Sequence, residues 1–394
     1  MKSSRVKKIL CKMLGPSGVQ VDGSRPWDIR VHNPDFYERV LSGGSLALGE
    51  SYMDGWWDCE ALDQFFEKIM ENRLDKQSRT NAIALLWVVL KAKVLNAQKR
   101  SRAYIIGERH YDIGNDLFSM MLDKDLNYSC AYWKNAETLD AAQEAKLDLI
   151  CRKIGLKSGM KVLDIGCGWG GFAKYAAEKY GAKLHGVTVS REQVEFGNNC
   201  CQCLDVKIEL KDYRKVREKF DRIVSIGMFE HVGVSRYPEF FAKCGELLAD
   251  DGVGLLHTIG RSSGPAATGD WVRKYIFPGG YMPALSEVIP AIEQAGLFIT
   301  DIEFLRFHYA DTLRDWRLRF NANRHKVAKI YDERFCRMWE FYLAASEAAF
   351  RFSAHEVFQI QFAKRKDTVP DTRDYMFEWE RAHRDQSPPS TGCG

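Results

Sequence analysis

Within Lys161–Gly171, KVLDIGCGWGG, an acid stands just ahead of a run of glycines. Asp164 is followed by Gly166, Gly168, Gly170 and Gly171, with only Cys167 and Trp169 among them. Val162, Leu163 and Ile165 form the short apolar run of a strand buried on both faces. Phe172 to Lys179 supplies good helix formers. A strand, a glycine turn and a helix present backbone N–H groups to a ligand, and the missing side chains let it approach the main chain. The plain alternative is a tight turn. A dinucleotide would call for an acid at the end of the next strand. That strand, Leu184 to Ser190, has none, so a nucleoside without pyrophosphate is favoured over NAD.

A second chemical stretch is Gly227 to Gly233, GMFEHVG. Glu230 and His231 follow an apolar strand, and His257 closes the apolar run Val253–Leu256. Paired titratable groups in a cleft mark sites, whereas a lone histidine there is more often a satisfied core residue. Tyr128, Ser129 and Cys130 form a third stretch. The ordinary fate of such a cysteine is that of a small buried hydrophobe. Thr188 and Gln193 offer a hydroxyl and an amide to a ribose, and Asp212 can accept from an adenine amine with Tyr213 beside it. Each polar residue has a structural alternative as a cap or turn former; Ser190 with Gln193 makes a capping box.

The elements that must position these groups alternate. Strands are expected at 161–165, 184–189, 206–209, 221–226 and 253–259, with helices at 139–154, 171–180, 191–203 and 237–248. This is the pattern of an α/β fold with a doubly wound, mostly parallel sheet, whose ligands lie at the carboxyl ends of the strands. Every candidate above falls at such an end or just before the first strand. Beyond them come a Gly/Ser/Ala loop at 261–270 and an aromatic, Pro-rich stretch at 271–283 suited to the wall of an apolar tunnel. A helix at 285–295 and a strand at 298–304 follow, with Tyr309 in the loop after it. A helical stretch at 312–351 and an alternating strand at 357–362 complete the pattern.

The 394 residues, 45% hydrophobic with a net charge of +4, suit one large domain and a smaller one. No nucleic-acid partner is expected. The eleven cysteines show no metal-ligand spacing, so no metal is expected, and they point to a reducing cytosol. The longest apolar run, Ala82–Leu90, is too short to span a bilayer. In Ser4 to Leu14 the apolar Val6, Ile9, Leu10, Met13 and Leu14 share one helical face and Arg5, Lys7, Lys8 and Lys12 cover the rest. Such a helix either lies on an anionic membrane surface or docks on its own domain. Gly44 to Asp58 reads as a turn-rich segment whose Trp56 and Trp57 either form a binding surface or fill a small core. Residues 107–133 read as a lid or an entry helix over the site. The expected division is a small, mainly helical N-terminal lipid-docking domain with the start of the linker at 1–95, linker at 96–106, catalytic domain at 107–384 and a disordered tail at 385–394.

The D-x-G-x-G-x-G form resembles the first motif of class I S-adenosylmethionine-dependent methyltransferases, with their seven-stranded sheet. Taken in order, GESYMDGWW (49–57), HYDIGNDLF (110–118), YSCAYW (128–133), VLDIGCGWGG (162–171), MFEHVG (228–233), LHTIG (256–260) and KYIFPGG (274–280) closely resemble the bacterial cyclopropane-fatty-acyl-phospholipid synthases. The resemblance runs from Asp28 to about Lys364. The related mycolic-acid cyclopropane synthases lack the N-terminal domain. The resemblance implies that a cis double bond of a phospholipid acyl chain attacks the methyl group of S-adenosylmethionine. A carbocation then loses a proton to bound bicarbonate and closes the ring. It implies that Cys130, Glu230, His257 and Tyr309 hold the bicarbonate, the cysteine as a scaffold. It also implies that Tyr128, Ser129, Asp164, Gly166, Gly168, Gly170, Thr188, Gln193, Asp212 and Tyr213 hold the cofactor. A homodimer in the cytoplasm, peripheral at the inner face of a phospholipid membrane, is implied as well. Where some relatives carry a cysteine in the segment matching 343–350, this chain has Ser346. Rival readings are a methyl- or methylene-branching fatty acyl methyltransferase and a non-catalytic lipid-binding protein.

Overall fold

The computed structural model describes residues 2–72 and 114–382. The N-terminal stretch carries α1 (Lys2–Leu14), β1 (Ile29–Val31), α2 (Phe36–Met53), β2 (Trp57–Cys59) and α3 (Leu62–Glu71). Then come α4 (Asn115–Met121), α5 (Leu139–Lys153), β3 (Lys161–Ile165), α6 (Gly171–Tyr180), β4 (Lys183–Thr188), α7 (Arg191–Cys200) and β5 (Val206–Leu210). They are followed by β6 (Phe220–Ile226), α8 (Tyr237–Leu247), β7 (Leu248–Arg261), α9 (Asp270–Tyr275) and α10 (Leu285–Gln294). The last are β8 (Phe298–Phe304), α11 (His308–Ile330), α12 (Glu333–Phe352), β9 (His355–Ala363) and α13 (Asp374–Ala382). The chain forms two compact units: Met1–Lys124, Gly260–Ala284 and Arg306–Glu356 in one, Asp125–Ile259, Leu285–Leu305 and Val357–Gly394 in the other.

The second unit is built on a seven-stranded sheet in the order β5-β4-β3-β6-β7-β9-β8. Its pairs β3–β4, β3–β6, β4–β5 and β6–β7 are parallel, and β8 runs antiparallel to β9. Helices cover both faces. On one, Phe229, Tyr237, Phe240 and Phe241 pack with Phe358 and Phe362 of β9. On the other, Ile150 and Ile154 pack with Val162, Phe172, Val224 and Val253. Each such side chain contributes about 1.5–3 kcal/mol by leaving water. The expected alternation in β9 is not found. From Val357 to Ala363 every residue is buried, because both faces of this inner strand are covered.

The first unit is helical apart from the short antiparallel pair β1–β2. Trp57, Phe65, Phe66 and Phe341 form its aromatic centre, with ring centroids 5.3 Å apart for Trp57–Phe65 and 4.9 Å for Phe66–Phe341. Gly44 to Asp58 is mostly helix rather than turn. α2 kinks at Gly44 (φ 58°, ψ −139°) and continues to Met53, burying Ala47, Tyr52 and Met53. Trp57 is fully buried and its indole N–H donates to Ser51 Oγ at 3.1 Å, so it belongs to the core. The motif containing it is tied to residues from later in the chain. Glu50 accepts from Lys274 Nζ at 2.5 Å and Tyr275 OH at 2.9 Å, and a Cβ at Gly49 would fall 2.3 Å from Trp271 Nε1. α1 packs on α2 with Leu10 and Leu14 buried, leaving Arg5, Lys8 and Lys12 exposed. Its apolar stripe therefore docks on its own unit.

Tyr309 is the second residue of α11, not part of a loop, because the helix begins four residues earlier than expected. α13 was not foreseen. It is held by the Arg152 guanidinium on the Met376 carbonyl and by Gln361 Nε2 donating to Tyr375 OH at 2.8 Å. The expected linker, the apolar run Ala82–Leu90, residues 107–113 of the lid and the tail at 385–394 lie outside the described residues. Among the described residues, no helix is long and apolar enough to cross a membrane.

Candidate active site

At the carboxyl end of β3 the glycines adopt conformations that side chains resist. Gly166, Gly168 and Gly170 have φ of 80°, 56° and 87°, in the left-handed region that favours glycine. A Cβ on Gly166 would lie 2.5 Å from that of Met228. Gly170 caps the N-terminus of α6, where backbone N–H groups face outward. Asp164, 1% exposed, has an Oδ1 with no partner. Burial pushes its carboxyl up to about 7, against the opposing pull of Lys146. A cradle without side chains and an unmet buried carboxyl oxygen beside it fit the polar end of an S-adenosylmethionine-like ligand.

The adjoining strand ends supply the other expected partners. Thr188 Oγ1 donates to Gln193 Oε1 at 2.6 Å, fixing both at the end of β4. Ser190 Oγ caps α7 by accepting from Gln193 N, which leaves the Gln193 side chain bonded to Thr188. Asp212 is occupied with Arg214, whose Nε lies 3.0 Å from Oδ1, and it caps the turn at Tyr213. Tyr213 packs edge-on against Phe240, 5.5 Å between centroids. Ser129 is tied to Lys146 Nζ at 3.1 Å, and its carbonyl accepts from Gln143 Nε2 at 2.9 Å. Tyr128 precedes it, and Cys130, 1% exposed, donates to the Ala131 carbonyl at 3.2 Å.

Glu230 and His257 come together through their strands. Ile226 and His257 are register partners, and Gly227 N donates to the His257 carbonyl at 2.9 Å. Glu230 Oε1 accepts from Ile259 N at 2.6 Å, two residues beyond His257. Its Oε2 is buried with no partner. Burial pushes the Glu230 carboxyl up to about 7, against hydrogen bonds from Ile259 and Thr258. His257, 2% exposed, is held neutral by burial and by the charges of Lys146 and Lys153. A neutral imidazole and a carboxyl that carries its proton near pH 7 are both donors, and the unmet Oε2 leaves one valence directed at a guest. That donor set fits a small anion such as bicarbonate. His231, adjacent in sequence, is exposed. Tyr309 belongs to the other unit, where it is buried edge-on against Trp316 and against Phe350, at 5.7 and 4.7 Å.

Sequence reasoning missed Lys146 and Lys153. Both are buried, 1% and 0% exposed, and seven residues apart on α5, they face the sheet together. Lys153 pairs with Glu303 at 2.5 Å. Nothing in the helical stretch 139–154 marks these two lysines as buried.

Comparison with known proteins agrees with this architecture. The family model described as mycolic acid cyclopropane synthetase matches residues 98–360. The chain is 46% identical over 357 residues to the cyclopropane-fatty-acyl-phospholipid synthase of Escherichia coli (strain K12), covering 91% of this chain and 93% of that one. Cyclopropane mycolic acid synthase 3 of Mycobacterium tuberculosis is 36% identical over 275 residues, 65% of this chain and 96% of its own. Among solved structures, the cyclopropane synthase MmaA2 from Mycobacterium tuberculosis superposes with a TM-score of 0.61 at 34% identity, covering 65% of this chain and 96% of that one. The mycolic acid cyclopropane synthase CmaA1, solved with SAH and CTAB, gives 0.61 at 34% identity, covering 64% and 95%.

Proposed function

The chain belongs to the mycolic acid cyclopropane synthetase family, and from that premise we propose that it converts cis double bonds of phospholipid acyl chains into cyclopropanes. It is an S-adenosylmethionine-dependent methyltransferase. Bound S-adenosylmethionine supplies an electrophilic methyl group, and bound bicarbonate supplies a base. The net change adds one CH2 across the olefin and requires one proton to be taken up.

The chain's residues divide this work. The glycine turn 166–171 with Asp164 receives the polar end of the cofactor, and Thr188 and Gln193 receive its ribose. Tyr128 and Ser129 close on it from the preceding segment. Asp212 and Tyr213 take the base, which requires Asp212 to loosen its hold on Arg214. Glu230 and His257 donate to the anion, and Cys130 gives it a small wall that needs no thiolate. Tyr309 joins them by resemblance alone. Groups that donate without being nucleophilic suit a reaction passing through a positive charge, since a side-chain nucleophile there would be alkylated. The observation that carries this reading is the buried, unpartnered Glu230 Oε2, whose sister oxygen is bonded to Ile259 N, two residues beyond the neutral His257.

The lipid surface is met, in this reading, by the cytoplasmic protein as a peripheral homodimer at the inner face of the membrane. The exposed Arg5, Lys8 and Lys12 of α1 support the electrostatic part. Support for the dimer and for an N-terminal docking domain at 1–95 comes from the resemblance, and sedimentation velocity tests the dimer.

The deciding experiment is mass spectrometry of vesicles containing a cis-monounsaturated phospholipid after incubation with the protein and S-adenosylmethionine. Acyl chains heavier by one CH2 and resistant to hydrogenation are expected. A heavier chain that still hydrogenates would replace cyclopropanation by methylenation. No change in mass despite cofactor binding would leave a lipid-binding protein.

A further inference from the structure

Under α5, the otherwise apolar face of the sheet carries a polar seam. His257 of β7, Gln359 and Gln361 of β9 and Glu303 of β8 lie along it, and α5 lowers Lys146 and Lys153 onto it. Gln359 is fully buried, and its Nε2 lies 3.2 Å from His257 Nδ1. Glu303 is the register partner of Gln359 across β8–β9, so the two side chains are neighbours on one face. Lys153 Nζ sits 2.5 Å from Glu303 Oε2. Gln361 Nε2 bonds the Lys153 carbonyl.

An amide can offer either end to an imidazole nitrogen, and the choice sets the tautomer. If Nε2–H donates, Nδ1 is an acceptor and the ring proton is on the other nitrogen. If Oε1 accepts, the proton is on Nδ1 and the other nitrogen is bare. Here Gln359 turns its Nε2 to the ring, 3.2 Å from Nδ1, while its Oε1 is buried with no hydrogen-bond partner.

We propose that Gln359 is a positioning residue that locks His257 as its Nε2–H tautomer and so gives the anion site a fixed N–H donor. This rests on the reading of His257 as a group that holds the anion. The physical need is plain. With the proton on Nδ1, the bare Nε2 would turn a lone pair toward a negative guest. It would also be a nucleophile where a cation forms. The charged groups that act on the ring agree with a neutral donor: Lys146 and Lys153 from α5 oppose a second proton.

The test is nitrogen NMR of protein labelled with [15N]histidine, with the His257 signals among the nine histidines identified by their loss in His257→Asn. The intact protein is expected to show a protonated Nε2 and a bare Nδ1 at pH 7.5. Gln359→Leu is expected to remove that bias and lower kcat at least tenfold, with KM for S-adenosylmethionine and lipid within twofold. Gln359→Glu, whose carboxylate can only accept, is expected to move the proton to Nδ1 and lower kcat further, and Gln359→Asn to recover part of the rate. Circular dichroism checks that each variant is folded. A protonated Nδ1 in the intact protein, or a tautomer unmoved in a folded Gln359→Leu, would overturn the proposal. A tautomer that moves while kcat holds would sustain the role of Gln359 in setting the ring and overturn the placement of His257 in the anion site.

Discussion

Glu230→Gln should make the protein less active, and its stability relative to the parent should depend on pH in a defined way. Burial lifts the Glu230 carboxyl from its ordinary 4.5 to about 7. Below pH 4.5 the group is protonated in folded and unfolded chains alike and costs nothing. Between 4.5 and 7 the unfolded chain releases its proton while the folded one keeps it, so stability falls as pH rises through this window. At about 1.4 kcal/mol per pH decade, the full loss is about 3 kcal/mol, complete above pH 7. Glutamine has the same shape, can keep the bond from Ile259 N and does not titrate. Its fixed penalty for a buried amide N–H, about 1–3 kcal/mol, is the same at every pH. The stability of the variant minus that of the parent should therefore rise by about 3 kcal/mol between pH 4.5 and 8. Urea unfolding of both proteins across that range measures it, and other titrating groups cancel in the difference. The rate of CH2 addition should fall at least a hundredfold. A difference that is flat with pH to within about 0.5 kcal/mol would refute the claim that Glu230 sits protonated in a dry site.

Two other substitutions probe the cofactor cradle and the membrane surface. Gly166→Ala combines a left-handed φ of 80° with a Cβ placed 2.5 Å from that of Met228. The conformation alone costs about 1–2 kcal/mol, and S-adenosylmethionine binding by calorimetry should weaken at least tenfold while far-ultraviolet circular dichroism is unchanged. Replacing Arg5, Lys8 and Lys12 together by alanine leaves Leu10 and Leu14 in place. At about 1 kcal/mol per cation, binding to anionic vesicles should weaken roughly a hundredfold at low salt and less at high salt; unchanged co-sedimentation would remove α1 from the membrane surface.

The glycine turn was legible because its determinants are local. The strand 161–165, the turn and the helix 171–180 stand where the sequence places them, since positive φ and backbone approach are properties of the glycines themselves. The elements misjudged are those decided by distant partners. Gly44–Met53 is rich in glycine and serine, yet it is helix because Tyr52 and Met53 find a buried face. Tyr309 is drawn into a helix where its ring packs on Phe350 of α12 as well as on Trp316 of its own helix. Glu230 and His257 could be singled out as types, but the seam behind them could not. A lysine on a helix and a glutamine on a strand carry no mark of burial until α5 is laid over β9.

The first unit is stitched from chain stretches far apart in sequence, which imposes a timetable on its synthesis. Tyr52 finds Glu340 across a separation of 288 residues, and Arg337 bonds the Tyr52 and Trp57 carbonyls. At roughly 5–20 residues per second, on the order of 15–60 s pass between the emergence of α2 and that of α12. During that interval Tyr52 and Phe66 lack the Phe341 ring that later packs on them. The nascent N-terminal stretch therefore waits for α12, and a fragment that ends before residue 333 lacks Arg337, Glu340 and Phe341.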